Sequence, residues 1–413
     1  MAGRKDEKSM VKIAVLGFGT VGSGVYEIIQ GKDFAKKAGE DMAVKYILDI
    51  RDFPGHEAEA LLTKDFADIL GDPEIGVVAE VMGGLHPAYE FTKALLESGK
   101  NVVTSNKELV ATYGPELLEL ARANSVNYLF EASVGGGIPI IRPMSTCLLA
   151  NHITRIVGIL NGTTNYILSE MIHKGKDFSQ ALRDAQEKGY AERNPAADVE
   201  GHDACRKIAI LASLAWGRFV DYNNIPTEGI CDITLEDVQY ADRYHSVIKL
   251  MGYADIDAAG RIFARVSPMV VSRDMLISGV NDVFNAVSIT GDALGEAMFY
   301  GPGAGKLPTA SAVVADIIDC VKHLHKTKHN MMVWKRLPDD GMVPADEKPT
   351  AFLVRTAAPR ERIMEAFGDV EWIDAGIAGE TGFITPCEPE GVLLEKLDAL
   401  GVLAKIRVLE NYD

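Results

Sequence analysis

Cysteine is scarce in this 413-residue chain, and the five that occur (Cys147, Cys205, Cys231, Cys320 and Cys387) are odd in number, widely spaced and outside any CxxC or Cys/His pattern. That usage argues against a disulfide framework and against a zinc site, and it fits a reducing cytoplasm. Long hydrophobic runs are also missing: stretches such as Ile208 to Trp216 fall well short of the roughly 20 residues needed to cross a bilayer. The N-terminal MAGRKDEKSM has neither a long apolar segment nor a small-residue cleavage site, so no export signal is expected. Positive charge is in deficit, with 42 Lys and Arg against 59 Asp and Glu, and no basic cluster offsets the formal net charge of -17. Such a surface repels phosphate backbones and anionic lipid, which leaves small molecules as the expected partners rather than nucleic acid or membranes. What remains is an ordinary globular composition, 47% hydrophobic and 24% charged, on a chain long enough for two or three domains.

Val11 to Leu16 is an apolar run broken only by Lys12, which reads as a buried parallel strand, and a glycine-rich turn then opens a helix through about Gln30. Further strand-like runs (Val44 to Leu48, Gly76 to Val81, Asn101 to Thr104, Asn127 to Glu131) alternate with helical patterns at Ala88 to Ser98 and Pro115 to Ala123. This alternation predicts an α/β fold with a doubly wound parallel sheet over residues 1–137. Residues 138–305 read as an α+β substrate domain, with helices at Ser179 to Glu187, Gly201 to Trp216 and Leu235 to Leu250 and strands at Arg261 to Pro268 and Asn285 to Thr290. A helical stretch from Pro308 to His323, within 306–337, is expected to pack back on the first domain. After a polar linker, Pro338 to Pro349, residues 348–413 repeat a βαββαβ order and form an expected separate unit that resembles an ACT domain, a small-ligand regulatory module.

Gly17, Phe18, Gly19, Thr20, Val21 and Gly22 spell GxGxxG between a predicted strand and a predicted helix, the context a dinucleotide site needs. Glycines there permit a tight turn and let backbone N–H groups approach a pyrophosphate. A purely structural glycine turn has the same spacing, and the flanking strand and helix favour the dinucleotide reading. At the end of the second strand the signals conflict, because Asp49 suits a ribose hydroxyl and Arg51 a 2′-phosphate, while a salt bridge explains either. Further on, Gly189 to Glu192, Asp198 and Gly201 to Lys207 gather three acids and a lysine. Asp203 and Lys207 share a helix face, and the run from Lys207 to Trp216 is apolar nearly all round, which marks a buried helix. Desolvation lowers a lysine pKa and a neighbouring carboxylate raises it, so such a pair is able to tune a proton donor. A helix-end salt bridge is the plainer alternative.

The pattern GYAE…D…GxDAxxK resembles the signature of the homoserine dehydrogenase family. Thr104 to Lys107, Glu131 to Ile140, Gly158 to Leu168, and Gly301 to Gly305 with Pro308 to Ala312 match that family too, over about residues 10 to 325. The resemblance implies a reversible NAD(P)-dependent interconversion of L-homoserine and L-aspartate 4-semialdehyde by a homodimer or homotetramer. By position, Lys207 is implied as the acid/base residue and Lys107 as a second lysine at the reacting centre. Glu192 and Asp203 are implied to hold the substrate, supported by Asp198. Gly83, Thr104, Lys107, Gly189 and Gly303, with Arg51 and the GxGxxG residues, are implied to line the cofactor. Glu131 and the carbonyls of Val134, Gly136 and Ile138 resemble a Na⁺-type monovalent cation site. Asn194 stands where the family most often has Asp, and Ala357 to Arg360 replaces the Asp-x-Pro-Gly turn of many ACT domains. No aspartate kinase region precedes the dinucleotide fold, which resembles the monofunctional form. Two alternatives stay open: a dehydrogenase of another small amino or hydroxy acid, and a non-catalytic NAD(P)-sensing regulator.

Overall fold

The computed structural model describes residues 10–32, 34–324 and 332–410; residues 1–9, the stretch bearing on an export signal, lie outside them. The chain divides into two compact units. One comprises the described residues up to Ala150 with Ser213–Phe219 and Pro302–Arg336, and the other comprises Asn151–Ala212, Val220–Gly301 and the residues from Leu337 onward. Among the described residues no helix is long and apolar enough to cross a membrane, and all five cysteines are free thiols.

The first unit is built on six strands, β1 (Met10–Leu16), β2 (Asp41–Leu48), β3 (Leu62–Thr63), β4 (Ile75–Glu80), β5 (Asn101–Thr104) and β6 (Tyr128–Leu129). They pair in parallel in the order β3-β2-β1-β4-β5-β6. Ile13, Ala14, Val15 and Leu16 are fully buried, so this half of β1 is covered on both faces and takes an apolar residue at each of these positions. The order reverses between β1 and β4, and ligands of doubly wound sheets bind outside the strand ends at such a switch point. A helix at Lys306–Lys322 returns to this unit, where Ala310, Val313, Ile317 and Val321 share a core with Val25 and Ile29 of the helix Thr20–Gly31. The helix that the sequence placed from Pro115 starts earlier, at Lys107, because the Asn106 side chain accepts from Leu109 N and caps it there.

The second unit carries a nine-stranded sheet. Its order is Gly295–Pro302, Phe284–Gly291, Ile153–Ile159, Ser246–Ile256, Ile262–Ser272, Val402–Val408, Phe352–Thr356, Thr381–Ile384 and Glu371–Ile373. Two expectations change here. Leu235 to Leu250 is not one helix: the helix stops at Arg243, His245 takes a left-handed φ of 52°, and Ser246–Ile256 is a strand buried along nearly its whole length. A continuous apolar run does not by its periodicity distinguish a buried helix from a buried strand.

The C-terminal βαββαβ elements fall where the sequence placed them, but they are not a separate unit. Val402–Val408 pairs in parallel with Ile262–Ser272 through Met269 with Arg407 and Val270 with Val408, which makes one sheet of both segments. Two buried ionic clusters reinforce the junction. Glu390 bridges Arg265 and Arg407, and Arg407 also reaches Glu228 at 2.7 Å. Arg355 donates to Asp237 at 2.6 Å and pairs with Glu380 at 3.0 Å. Separating the segments would break both clusters, since Arg265 and Asp237 find their partners Glu390 and Arg355 in the C-terminal segment.

Candidate active site

In the first unit the glycine-rich turn joins β1 to the helix Thr20–Gly31. Gly17 has a φ of +97°, and a Cβ on Gly22 would lie 1.9 Å from Gly17 O, so only glycine permits this close packing of turn and helix. The Asp49 carboxylate, beyond the end of β2, accepts from Phe18 N at 2.7 Å and therefore holds the turn directly. It also accepts from Arg51 N (2.9 Å), Nε (2.9 Å) and Nη2 (2.8 Å). Its pKa is held far below the usual carboxylate range, first by the Arg51 hydrogen bond and against the effect of burial. Both alternatives read from the sequence thus meet in one pair: Asp49 is neutralised by Arg51, whose side chain stays 57% exposed beside the turn. Turn, helix N-terminus and Arg51 fit a dinucleotide, since they offer a helix N-terminus and positive charge to phosphate.

At the end of β4, Glu80 is fully buried, and burial pushes its pKa up. Its oxygens accept from Met82 N at 2.9 Å and Thr104 Oγ1 at 2.6 Å, while Thr104 Oγ1 accepts from Asn106 N and Asn106 Nδ2 donates to Gly84 O at 2.6 Å. One carboxylate thus ties the loop with Gly83 to the start of the helix on which Lys107 is the first residue. Sequence reasoning named Gly83, Thr104 and Lys107 but not Glu80; an acid ending an otherwise apolar strand was the available signal.

Glu131 is buried, and its carboxylate accepts from the backbone N–H of Ile140 (2.6 Å), Ile141 (2.9 Å) and Arg142 (2.7 Å). A carboxylate has about four lone-pair sites, so this anchoring of the following backbone leaves room for a further partner. A Cβ on Gly136 would lie 2.3 Å from Gly303 O, which brings two of the implied positions into backbone contact. Hard carbonyl and carboxylate oxygens of this kind suit a monovalent cation. Among the described residues no group of three or more His, Cys, Asp and Glu is arranged to hold a metal.

In the second unit the strand Ile153–Ile159 ends at Leu160, and the helix Gly162–Lys174 begins at the Asn161 cap, whose Oδ1 accepts from Thr164 N at 2.9 Å. Lys207 and Asp203 face this corner from the helix His202–Trp216. Lys207 Nζ donates to Leu160 O at 2.7 Å and to Asp203 Oδ2 at 2.8 Å, and both residues are over nine-tenths buried. Asn161 Nδ2 donates to Asp198 Oδ1 at 2.7 Å and to Asp203 Oδ2 at 2.9 Å. Burial is the main cause that raises the Asp198 pKa; the Asn161 hydrogen bond opposes it and the Asp203 charge adds to it. The structure therefore brings Lys207, Asp203 and Asp198 together. Glu192 is exposed in the loop after the helix Phe178–Glu187, with its carbonyl accepting from Gln186 Nε2 at 3.2 Å. Gly189 belongs to this second unit, not to the unit of the glycine-rich turn, and it follows that helix with a φ of +74°. Asn161, within a stretch whose motif was recognised, was not singled out from sequence because its two carboxylate partners lie 37 and 42 residues away.

A doubly wound sheet with a dinucleotide turn, in a chain that also holds a desolvated lysine on a carboxylate, defines a nicotinamide-dependent oxidoreductase. A family model described as homoserine dehydrogenase matches residues 139–318, and a second, described as its NAD binding domain, matches residues 17–131. The homoserine dehydrogenase of Synechocystis sp. is 47% identical over 326 residues, covering 78% of this chain and 75% of that protein. That of Bacillus subtilis is 41% identical, covering 76% and 73%. Among solved structures, a homoserine dehydrogenase from Thiobacillus denitrificans superposes with a TM-score of 0.86 at 35% identity, covering 97% of this chain and 99% of that one. The chain belongs to the homoserine dehydrogenase family, NAD(P)-dependent enzymes acting on L-homoserine and L-aspartate 4-semialdehyde.

Proposed function

We propose that Lys207 is the proton donor and acceptor of this dehydrogenase. Bound NAD(P)H supplies the hydride for reduction of the semialdehyde, and NAD(P)⁺ accepts it in reverse. The residues of the chain then have to hold the substrate and move one proton for each hydride. Lys207, as ammonium, gives its proton to the oxygen that becomes the alcohol, and in the oxidation it takes that proton back. Asp203 and Asp198, with Glu192, supply the negative charge that suits the α-ammonium group of the substrate. Lys107 is assigned to the reacting centre as a second lysine. Gly17 to Gly22 hold the pyrophosphate, with Gly83, Thr104, Gly189 and Gly303 as further cofactor positions. Arg51, already set against Asp49, receives a 2′-phosphate, so NADP is preferred with NAD tolerated. A monovalent cation is assigned to Glu131 and the carbonyls of Val134, Gly136 and Ile138. The chain assembles as a homodimer or homotetramer in the cytoplasm, a setting its five free thiols suit, and residues 348–413 serve as the ACT-like regulatory segment.

The observation that carries the assignment is the burial of Lys207 between Leu160 O and Asp203 Oδ2. Positioned acid–base groups contribute about 10²- to 10⁴-fold, so Lys207→Ala should lose on that order in kcat in both directions while nucleotide affinity holds. A salt bridge of structural value alone predicts a lowered Tm with near-normal turnover. Single-turnover hydride transfer and Tm on one preparation separate these results, and near-wild-type transfer removes Lys207 from the mechanism.

A further inference from the structure

Four polar groups, two acids, an amide and an ammonium, meet at the corner where the strand Ile153–Ile159 gives way to the helix Gly162–Lys174. Two carboxylates, Asp198 and Asp203, come within hydrogen-bond reach of a single side-chain amide, and one of them also receives Lys207. That amide belongs to Asn161, which is itself 5% exposed. Its orientation is fixed by its own partners. Oδ1 accepts from Thr164 N at 2.9 Å and Thr164 Oγ1 at 3.1 Å, so the NH₂ group is the end that faces the acids. The reverse orientation would aim a carbonyl at two carboxylates and an NH₂ at the Thr164 backbone N–H. The peptide of the same residue follows Leu160, whose carbonyl is the other acceptor of Lys207 Nζ.

We propose that Asn161 is a positioning residue of the reaction, its amide holding Asp198 and Asp203 side by side so that Asp203 keeps Lys207 aimed. The proposal rests on Lys207 being the proton donor. Like charges this close favour protonation of one of the pair, and a shared donor opposes that by stabilising both ionised forms. The charged groups acting on Asp198 are Asp203 and Lys207, with Asn161 and Thr163 as neutral donors. Removing the amide leaves burial and the Asp203 charge less opposed, and Asp198 then takes up a proton at higher pH. Asp203, relieved of the Asn161 donor at its Oδ2, is held less firmly against Lys207.

Asn161→Ser separates this role from helix capping, because serine caps as well as asparagine but has no NH₂ group to share. The expected result is a folded enzyme whose kcat falls about 10- to 100-fold, the scale of a small misplacement of a catalytic group. The acid limb of its kcat/KM profile should move to higher pH, and its nucleotide KM should be unchanged. Asn161→Asp keeps the cap and adds a third carboxylate, so its acid limb should move further in the same direction. A wild-type kcat and pH profile in folded Asn161→Ser overturns the proposal, as does an Asn161→Asp profile that is not displaced. Lys207→Ala measured alongside distinguishes the two failures. Hydride transfer that survives Lys207→Ala overturns the proton-donor reading, whereas loss in Lys207→Ala with a wild-type Asn161→Ser overturns only the role of Asn161.

Discussion

Lys249 is a lysine with no exposed surface, in the strand Ser246–Ile256, and it offers a direct test of how the second unit is held together. Its ammonium donates to Val280 O at 2.6 Å, Asn165 Oδ1 at 3.0 Å and Asn281 Oδ1 at 3.1 Å, so it gathers a strand, a helix and a loop around one charge. Burial pushes its pKa down from 10.5 to about 8, with Asp282 opposing and Arg273 adding to that depression. The folded state therefore binds fewer protons than the unfolded state between about pH 8 and 10.5, and stability rises with pH across that window. At 1.36 kcal/mol per pH unit the depression corresponds to about 3 kcal/mol, carried as a penalty below pH 8 and relieved above 10.5. Lys249→Met abolishes this dependence and leaves three buried acceptors without their donor, at about 1–3 kcal/mol each. The variant should then be no more stable than wild type at pH 7 and should fall behind it by about 3 kcal/mol more at pH 10.5. Urea midpoints of both proteins across pH 7 to 10.5 give the difference free of other titrations. Parallel curves would show that Lys249 is not held as a depressed, buried ammonium, and would refute the reasoning.

Arg51→Ala should shift cofactor preference toward NAD, because it removes the cation available to a 2′-phosphate and frees Asp49 oxygens for a ribose hydroxyl. The ratio of kcat/KM values for NADP and NAD should fall by about 10- to 100-fold, the scale of one charge-assisted contact, and an unchanged ratio takes Arg51 out of cofactor choice. Deleting residues 348–413 removes Glu390 from Arg265 and leaves Met269 and Val270 of Ile262–Ser272 without their strand partner. Although every assigned site residue precedes Lys306, the truncated chain should lose soluble expression or cooperative unfolding, and a monomeric, well-folded, active truncation would contradict the shared-sheet argument.

The first unit was legible in the sequence because its determinants are local. An apolar strand broken only by Lys12, the glycines of the Gly17 to Gly22 turn and a following helix stand within Met10 to Gly31, and each is required by the contacts of its immediate neighbours. Lys207 and Asp203 were legible for the same reason, being one helical turn apart. The tertiary structure decided matters that depend on distant partners. Ser246–Ile256 became a strand because Ile153–Ile159 and Ile262–Ser272 pair along its two edges, which an apolar run by itself does not specify. The C-terminal elements had the right order in the sequence, yet only the pairing of Val402–Val408 with Ile262–Ser272 decided that they extend an existing sheet, since strand pairing is chosen by long-range contacts. Asp49 and Arg51 were ambiguous until the carboxylate was seen to be engaged by both Phe18 N and the guanidinium. Asn161 owes its place to carboxylates brought to it from two other helices, and no property of its own sequence neighbourhood encodes that meeting.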